Sequence, residues 1–179
     1  VLKMTNNADT EKKETNILTE NMLKSRTIII SGEINEQLGK DVCTQLLLLE
    51  SISNDPINLF ISSNGGHVDS GYLIFDMINF ITPEVNIIGS GWVVSAGALI
   101  YLSSTKERRY CLPNTRFMIH EPSGGTQGQS SDMEITAKEI LRTREKINRL
   151  IAKETGKDIE QVKLDTARDY WLSAEEALE

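Results

Sequence analysis

VNIIGSGWVVSAGALIYL, residues Val85 to Leu102, reads as an apolar strand that breaks at Gly89-Ser90-Gly91 and resumes as a small-residue helix from about Ser95. A strand-to-helix turn at that point presents one hydroxyl. At a helix N-terminus Ser95 meets unpaired N–H groups and the positive end of the helix dipole, which favour negative charge developing on a nucleophile or an oxyanion. Ala96 and Gly97 leave room for a substrate to approach. The same segment also suits a buried strand followed by a helix with a serine cap, so the rest of the chain has to decide between the two.

On the N-terminal side, Thr27 to Ser31 reads as a buried strand closed by Gly32. A helical pattern follows from Asn35 to Ser53 and stops at Asn54-Asp55-Pro56. A second strand, Ile57 to Ser62, runs into Ser63-Asn64-Gly65-Gly66, which opens a helix from about Val68 to Ile81, ended by Pro83. Strand and helix thus alternate three times, which implies an α/β fold with a parallel sheet and helices on its faces.

On the C-terminal side, the turn signal Pro113-Asn114 separates two short strand candidates, Tyr110 to Leu112 and Arg116 to His120. Pro122 to Gln129 is too rich in glycine for a helix and too polar for a core strand, so it reads as an exposed excursion. A long helix follows, with Ser131 and Glu134 spaced as a capping box and Ile135, Ile140, Leu141, Ile147, Leu150 and Ile151 along one face. Gly156 ends it. Asp158 with Gln161 and Ser173 with Glu176 are spaced to cap two further short helices. The excursion and the long helix project beyond a compact core, as elements that serve subunit contacts do, so oligomerisation is expected.

The 179 residues suit one domain. A net charge of -7 argues against a nucleic-acid partner, because no basic patch would offset repulsion from phosphates. Cys43 and Cys111 lie far apart without companion ligands, so two reduced thiols are expected rather than a disulfide or a metal site. No run approaches the roughly 20 apolar residues of a membrane span, and the start lacks the apolar core of a signal peptide, so the expectation is a cytoplasmic protein with no membrane partner. Thr5 to Asn21 is polar and charged and reads as a tail or a loop that orders on a partner.

Only two histidines, His67 and His120, are available as an imidazole base. His120 ends the apolar strand Phe117-Met118-Ile119, so its ring can project from the carboxyl edge of the sheet, where open α/β sheets place ligands. Gly65-Gly66 offers bare backbone N–H groups before a helix, the means by which an oxyanion or anion site is built. Val93 stands where a nucleophile elbow G-x-S-x-G needs its first glycine, which leaves an α/β-hydrolase unsupported. A P-loop is absent too. The third group that would orient the imidazole is open on composition alone, since many carboxylates could do it.

Gly65-Gly66, Ser95-Ala96-Gly97-Ala98, Met118-Ile119-His120-Glu121-Pro122, Gly124-Gly125-Thr126-Gln127-Gly128-Gln129 and Asp165-Thr166-Ala167-Arg168-Asp169 resemble, in order and spacing, the Clp protease proteolytic subunit family, ClpP. The resemblance covers about residues 17 to 179. It implies a ClpP/crotonase-like fold of repeated β-α units: a polar N-terminal segment, 1–21, as an axial loop, and a peptidase domain, 22–179. Within that domain a head carries a protruding handle, about 121–156, formed by the Gly-rich strand and the long helix. It implies Ser95 as nucleophile, His120 as base and acid, Asp169 as the carboxylate behind the imidazole, and the N–H groups of Gly66 and Ala96 as oxyanion hole. The implied activity is serine endopeptidase hydrolysis of unfolded proteins, without a cofactor or metal, inside two stacked heptameric rings fed by an AAA+ unfoldase. Phe60, Phe80 and Tyr110 match the aromatic positions at which the family docks that unfoldase.

Three residues depart from the family pattern. Asn64 replaces the usual proline before the glycine pair, Ala96 the usual methionine after the serine, and Asn58 a residue that is often aromatic. The first two bear on the shape of the cleft and the third on docking. Two alternatives are carried forward: a poorly active ring subunit or regulator in a mixed ring with a paralogue, and a crotonase-type acyl-CoA enzyme.

Overall fold

The computed structural model describes residues 17–125 and 127–178. Residues 1–16 of the expected axial segment lie outside them. Residues 17–24 are helical (α1), so helix runs across position 21 and joins the body through Leu23, which packs on the core.

Six strands form one sheet: β1 (Thr27–Ser31), β2 (Ile57–Ser63), β3 (Val85–Val94), β4 (Arg109–Cys111), β5 (Arg116–Ile119) and β6 (Tyr170–Leu172). Their order is β1-β2-β3-β5-β6, with β4 also paired to β3. All pairings are parallel except β5 with β6. Helices α2 (Glu36–Ile52), α3 (Val68–Phe80) and α4 (Ala96–Tyr101) follow the first three strands. Asn35 caps α2 by accepting from Leu38 N, which fixes its start at the expected residue.

Gly89-Ser90-Gly91 does not end β3. Ile61 pairs with Gly89 and Ser63 with Val93, so four residues of β3 advance against two of β2 and the strand bulges instead of stopping. Gly91, at φ +65, supplies the left-handed step. The bulge lets β3 change neighbours: Ile87 to Gly89 pair with β4, and Trp92 to Val94 with β5.

The core lies on one side of the sheet. Ile28, Leu59 and Ile87 stand in register and are fully buried, with Val42 and Leu46 of α2, Ile74 of α3 and Ile100 of α4 against them. The opposite row, Ile29, Phe60, Ile88 and Tyr110, has no helix over it among the described residues; Ile29 is 55% and Tyr110 51% exposed. The reading of helices on both faces is corrected here. Near-continuous apolar strands do mean two apolar faces, but the described residues cover only one.

The long helix, α5 (Ser130–Thr155), spans about 39 Å at 1.5 Å per residue. Only Ile147, Asn148 and Ile151, near its C-terminal end, are buried, while Ile135 and Leu141 of the expected apolar face are exposed. The capping box does not form at its start. Gln129 is the cap, without a side-chain bond, and Glu134 pairs with Lys138 one turn on. Gly156, left-handed at φ 74, closes the helix as expected. The described residues of the Gly-rich excursion pair with no strand of this chain.

Asp158 caps α6 (Ile159–Thr166) through Glu160 N and Gln161 N. Ser173 and Glu176 exchange reciprocal bonds, a true capping box, over a single tight turn at Glu176–Leu178. Among the described residues no helix is long and apolar enough to cross a membrane.

Candidate active site

Ser95 is placed by the end of β3. Its N–H donates to Met118 O of β5 (2.9 Å), which locks the turn to the neighbouring strand. Its backbone sits at φ 56, ψ -119, a conformation that disfavours any residue with a Cβ. The chain needs that bend to leave the sheet and enter α4 within one residue, and it leaves the Ser95 side chain half-buried at the turn.

His120 follows β5, next to β3 in the sheet, and Asp169 precedes β6, next to β5. Adjacent strands therefore deliver three residues from distant parts of the sequence. Ser95 Oγ lies 2.8 Å from His120 Nε2, and His120 Nδ1 lies 3.2 Å from Asp169 Oδ1. The Asp169 carboxylate is 64% exposed and the His120 ring 27%. The apolar residues after Asp169 belong to β6, while Asp169 itself stands at the rim.

The second anchor of His120 is Thr166. Its carbonyl accepts from Glu121 N (2.7 Å), and its hydroxyl lies 2.9 Å from both Asn148 Oδ1 and Val162 O. Farther out, Arg144 of α5 reaches Glu121 (3.2 Å).

Gly65 passes directly beside Ser95, and Gly66 beside Ile34. A Cβ on Gly65 would come within 2.7 Å of Ser95 Cβ, and one on Gly66 within 2.2 Å of Ile34 O, so neither position admits a side chain. Among the described residues the N–H groups of Gly66 and Ala96 donate to no other group. Ala96 is buried, and a Cβ on Gly71 of α3 would meet its methyl at 3.3 Å. Small residues at 71 and 96 thus let α3 and α4 pack closely.

Beside Ser95 and His120 lies a shallow apolar pocket walled by Val68, Leu99 and Leu102 and, from α5, by Ile147 and Ile151. The sequence reading did not assign α5 to this wall; its signal was the apolar spacing of 147 and 151, which was read only as a helix face. His67 stays at the edge, its Nδ1 2.9 Å from Ser70 Oγ, and makes no contact with Ser95.

Neither cysteine contributes. Both are free, and burial pushes both thiols up, away from the reactive thiolate.

Of the aromatic positions, Phe60 and Tyr110 share the uncovered row of the sheet, and Phe80 stands 77% exposed at the end of α3. Core packing is thus not their role. Asn58 opens a polar row beside them: it accepts from Asn86 Nδ2 (3.0 Å), and Arg108 donates to Asn86 Oδ1 and pairs with Glu84.

Comparison with known proteins adds three findings. The sequence model of the Clp protease family matches residues 10–179. The ATP-dependent Clp protease proteolytic subunit 3 of Rhizobium johnstonii is 55% identical over 157 residues, which are 88% of this chain and 81% of that protein. Subunit 2 of Pseudomonas aeruginosa is 54% identical over 162 residues, 90% of this chain and 81% of that one. Among solved structures, ClpP1 from Listeria monocytogenes superposes with a TM-score of 0.81 at 56% identity, covering 89% of each chain. A mutant of ClpP1 from the same organism reaches 0.84 at 57% identity, covering 89% of this chain and 90% of that one.

Proposed function

The chain belongs to the Clp protease family, and from that premise we propose that it is the serine endopeptidase subunit of an ATP-dependent protease, acting through Ser95, His120 and Asp169. The observation that carries the assignment is the unbroken relay from Ser95 Oγ to His120 Nε2 and from His120 Nδ1 to Asp169.

With Nδ1–H donated to Asp169, the imidazole keeps its Nε2 lone pair for the serine proton. Ser95 Oγ attacks the peptide carbonyl as that proton moves to His120. The negative charge formed on the carbonyl oxygen is met by the N–H groups of Gly66 and Ala96, both without another partner among the described residues. His120 then gives the proton to the leaving amine. An acyl-enzyme on Ser95 remains, and water, deprotonated by the same imidazole, releases it. Reactants and products balance with water alone, so the hydrolysis itself calls for no cofactor. The apolar pocket accepts an apolar side chain on the residue whose carbonyl is attacked.

Family membership also implies a ring-forming oligomer that works with Clp ATPases. Two stacked heptameric rings are the proposed form, with 121–156 as the handle between them and 1–21 at the axial entrance; the exposed first half of α5 supports the handle. The relatives' subunit numbers, 2 and 3, favour a second reading in which this chain shares a ring with a paralogue.

The test is covalent labelling by a fluorophosphonate combined with native mass. Wild-type rings are expected to be labelled at Ser95 and to hydrolyse peptides, and Ser95→Ala rings to do neither while keeping their mass. Labelled rings that hydrolyse peptides only after a paralogue is added would favour the mixed ring. Unchanged hydrolysis by Ser95→Ala would refute the assignment.

A further inference from the structure

The loop that carries Gly66 has little of its own to hold it in place. Asn64 is exposed, and Gly65 and Gly66, at φ +91 and +145, hold a backbone conformation that glycine adopts without strain. Two backbone contacts tie the loop to Ile34: Ile34 N donates to Gly65 O (2.8 Å) and His67 N to Ile34 O (2.7 Å). The third tie is a side chain. Gly65 N donates to Ser63 Oγ (3.0 Å), and that hydroxyl gives its own proton to Gly32 O (2.6 Å).

Ser63 is the last residue of β2, 1% exposed, and faces the core in a position otherwise taken by isoleucine and leucine along that strand. A buried hydroxyl there costs desolvation unless both its roles are filled. They are filled by the turn after β1 on one side and by the Gly65-Gly66 loop on the other. Its Cβ also abuts Gly97, where an added Cβ would approach it to 3.4 Å, so the same side chain touches the helix that begins with Ala96.

We infer that Ser63 is a positioning residue for the oxyanion hole: its hydroxyl sets the Gly66 N–H relative to Ser95 and Ala96. The inference rests on the reading of Ser95 as nucleophile and of Gly66 and Ala96 as donors. A donor held in advance acts where charge develops, in the transition state, and contributes little to holding the uncharged peptide. Loss of the hydroxyl leaves Gly65 N–H without its acceptor and frees the glycine pair, so the penalty falls on turnover and spares substrate binding.

The experiment uses assembled rings of the full chain, with mass verified. Ser63→Ala is assayed with a fluorogenic peptide and with two inhibitors of matched sequence: a peptide boronate, which places a tetrahedral oxygen in the hole, and a reduced-amide peptide, which has no such oxygen. The expected result is a fall in kcat of about 10- to 100-fold, less than outright removal of a donor, with KM within about twofold. Boronate affinity is expected to fall by the same factor as kcat and reduced-amide affinity to hold. Ser63→Thr, which keeps the hydroxyl, is expected to restore most of the turnover. If Ser63→Ala rings do not assemble, Ser63→Cys, of similar shape but with a weak hydrogen-bonding thiol, is measured in the same way. Unchanged kcat and boronate affinity in an assembled variant would overturn the inference, as would parallel loss of both inhibitors. Hydrolysis surviving in Ser95→Ala would instead fail the reading beneath it.

Discussion

Ser95 holds a backbone conformation of the kind that costs about 1–3 kcal/mol for a residue with a Cβ, and a structure keeps such a residue where the bend aims a functional group. Asp169 is the less protected partner. Replacement of a buried triad aspartate by asparagine costs about 10⁴ in turnover by spoiling the imidazole tautomer. The exposed carboxylate here is partly screened by water. Asp169→Asn is therefore expected to lower kcat substantially but by less than that factor in rings of full mass; near-normal hydrolysis would remove Asp169 from the catalytic set. A different residue tests the core. Tyr72 is 8% exposed, its hydroxyl has no partner among the described residues, and Lys146 Nζ sits 3.6 Å from its ring centroid. Burial first, then Asp76 and Asp69, pushes the phenol up to about 12, so it stays neutral at physiological pH. An unpaired buried hydroxyl costs about 1–3 kcal/mol, so Tyr72→Phe is expected to be neutral or stabilising by urea unfolding with unchanged m. A clear loss of stability would mean that assembly supplies the hydroxyl with a partner. At this scale the sequence revealed Ser95 and His120 through a turn and a scarcity of histidines, whereas Asp169 came only with the resemblance. Ser63 was hidden, because a serine at a strand's end looks the same whether or not its hydroxyl holds a loop.

Elements were legible where local chemistry decides them. Asn35, Pro56, Pro83, Asp158 and Gly156 each mark a boundary the structure keeps, because caps and imino acids act within one turn. The misreadings arose where the partner lies far away in the sequence. Gly89-Ser90-Gly91 looks like a break from inside β3, yet pairing with β2 on one side and with β4, then β5, on the other carries the strand through it. Ser131 and Glu134 have capping-box spacing, but the helix begins two residues earlier, with Gln129 as its cap, and Glu134 finds Lys138. Distant partners also join α5 to α6. Asn148 and Thr166 are 2% and 1% exposed and hydrogen-bond to each other, and the Thr166 carbonyl holds the residue after His120. Thr166→Val keeps the shape and strips the hydroxyl, taking away the donor to the Asn148 amide oxygen. It is expected to cost about 1–3 kcal/mol in chemical unfolding, with Thr166→Ser costing less; equal stability of Thr166→Val and wild type would mean that the pair contributes nothing net.

For the whole molecule, the informative feature is surface that one chain leaves open. Ile29, Phe60, Ile88 and Tyr110 make a continuous apolar row across four strands, and the outer half of α5 exposes Ile135 and Leu141. The sequence showed these residues as apolar and could not show them as uncovered, since periodicity reports which residues share a face and not what lies against it. Two open surfaces on separate elements suit two separate partners, and we propose α5 for a second copy of the chain and the sheet row for the ATPase. The polar row of Asn58, Asn86 and Arg108 runs beside the apolar one, so a docking segment that lies across the strands meets apolar contacts on one edge and hydrogen-bonding groups on the other. Tyr110 is the better probe, because it is half exposed on a strand that among the described residues pairs only with β3, and its replacement removes surface without opening the core. Tyr110→Asp puts a charge in the middle of the proposed contact, where truncating an aromatic anchor typically costs about 2 kcal/mol or more. Hydrolysis of short peptides, which need no unfolding, is expected to stay at the wild-type level, while ATP-driven degradation of a folded protein in the presence of the cognate unfoldase drops by at least about tenfold. Equal losses in both assays would place the damage in the ring or the site instead, and undiminished degradation of the folded protein would show that the partner docks elsewhere.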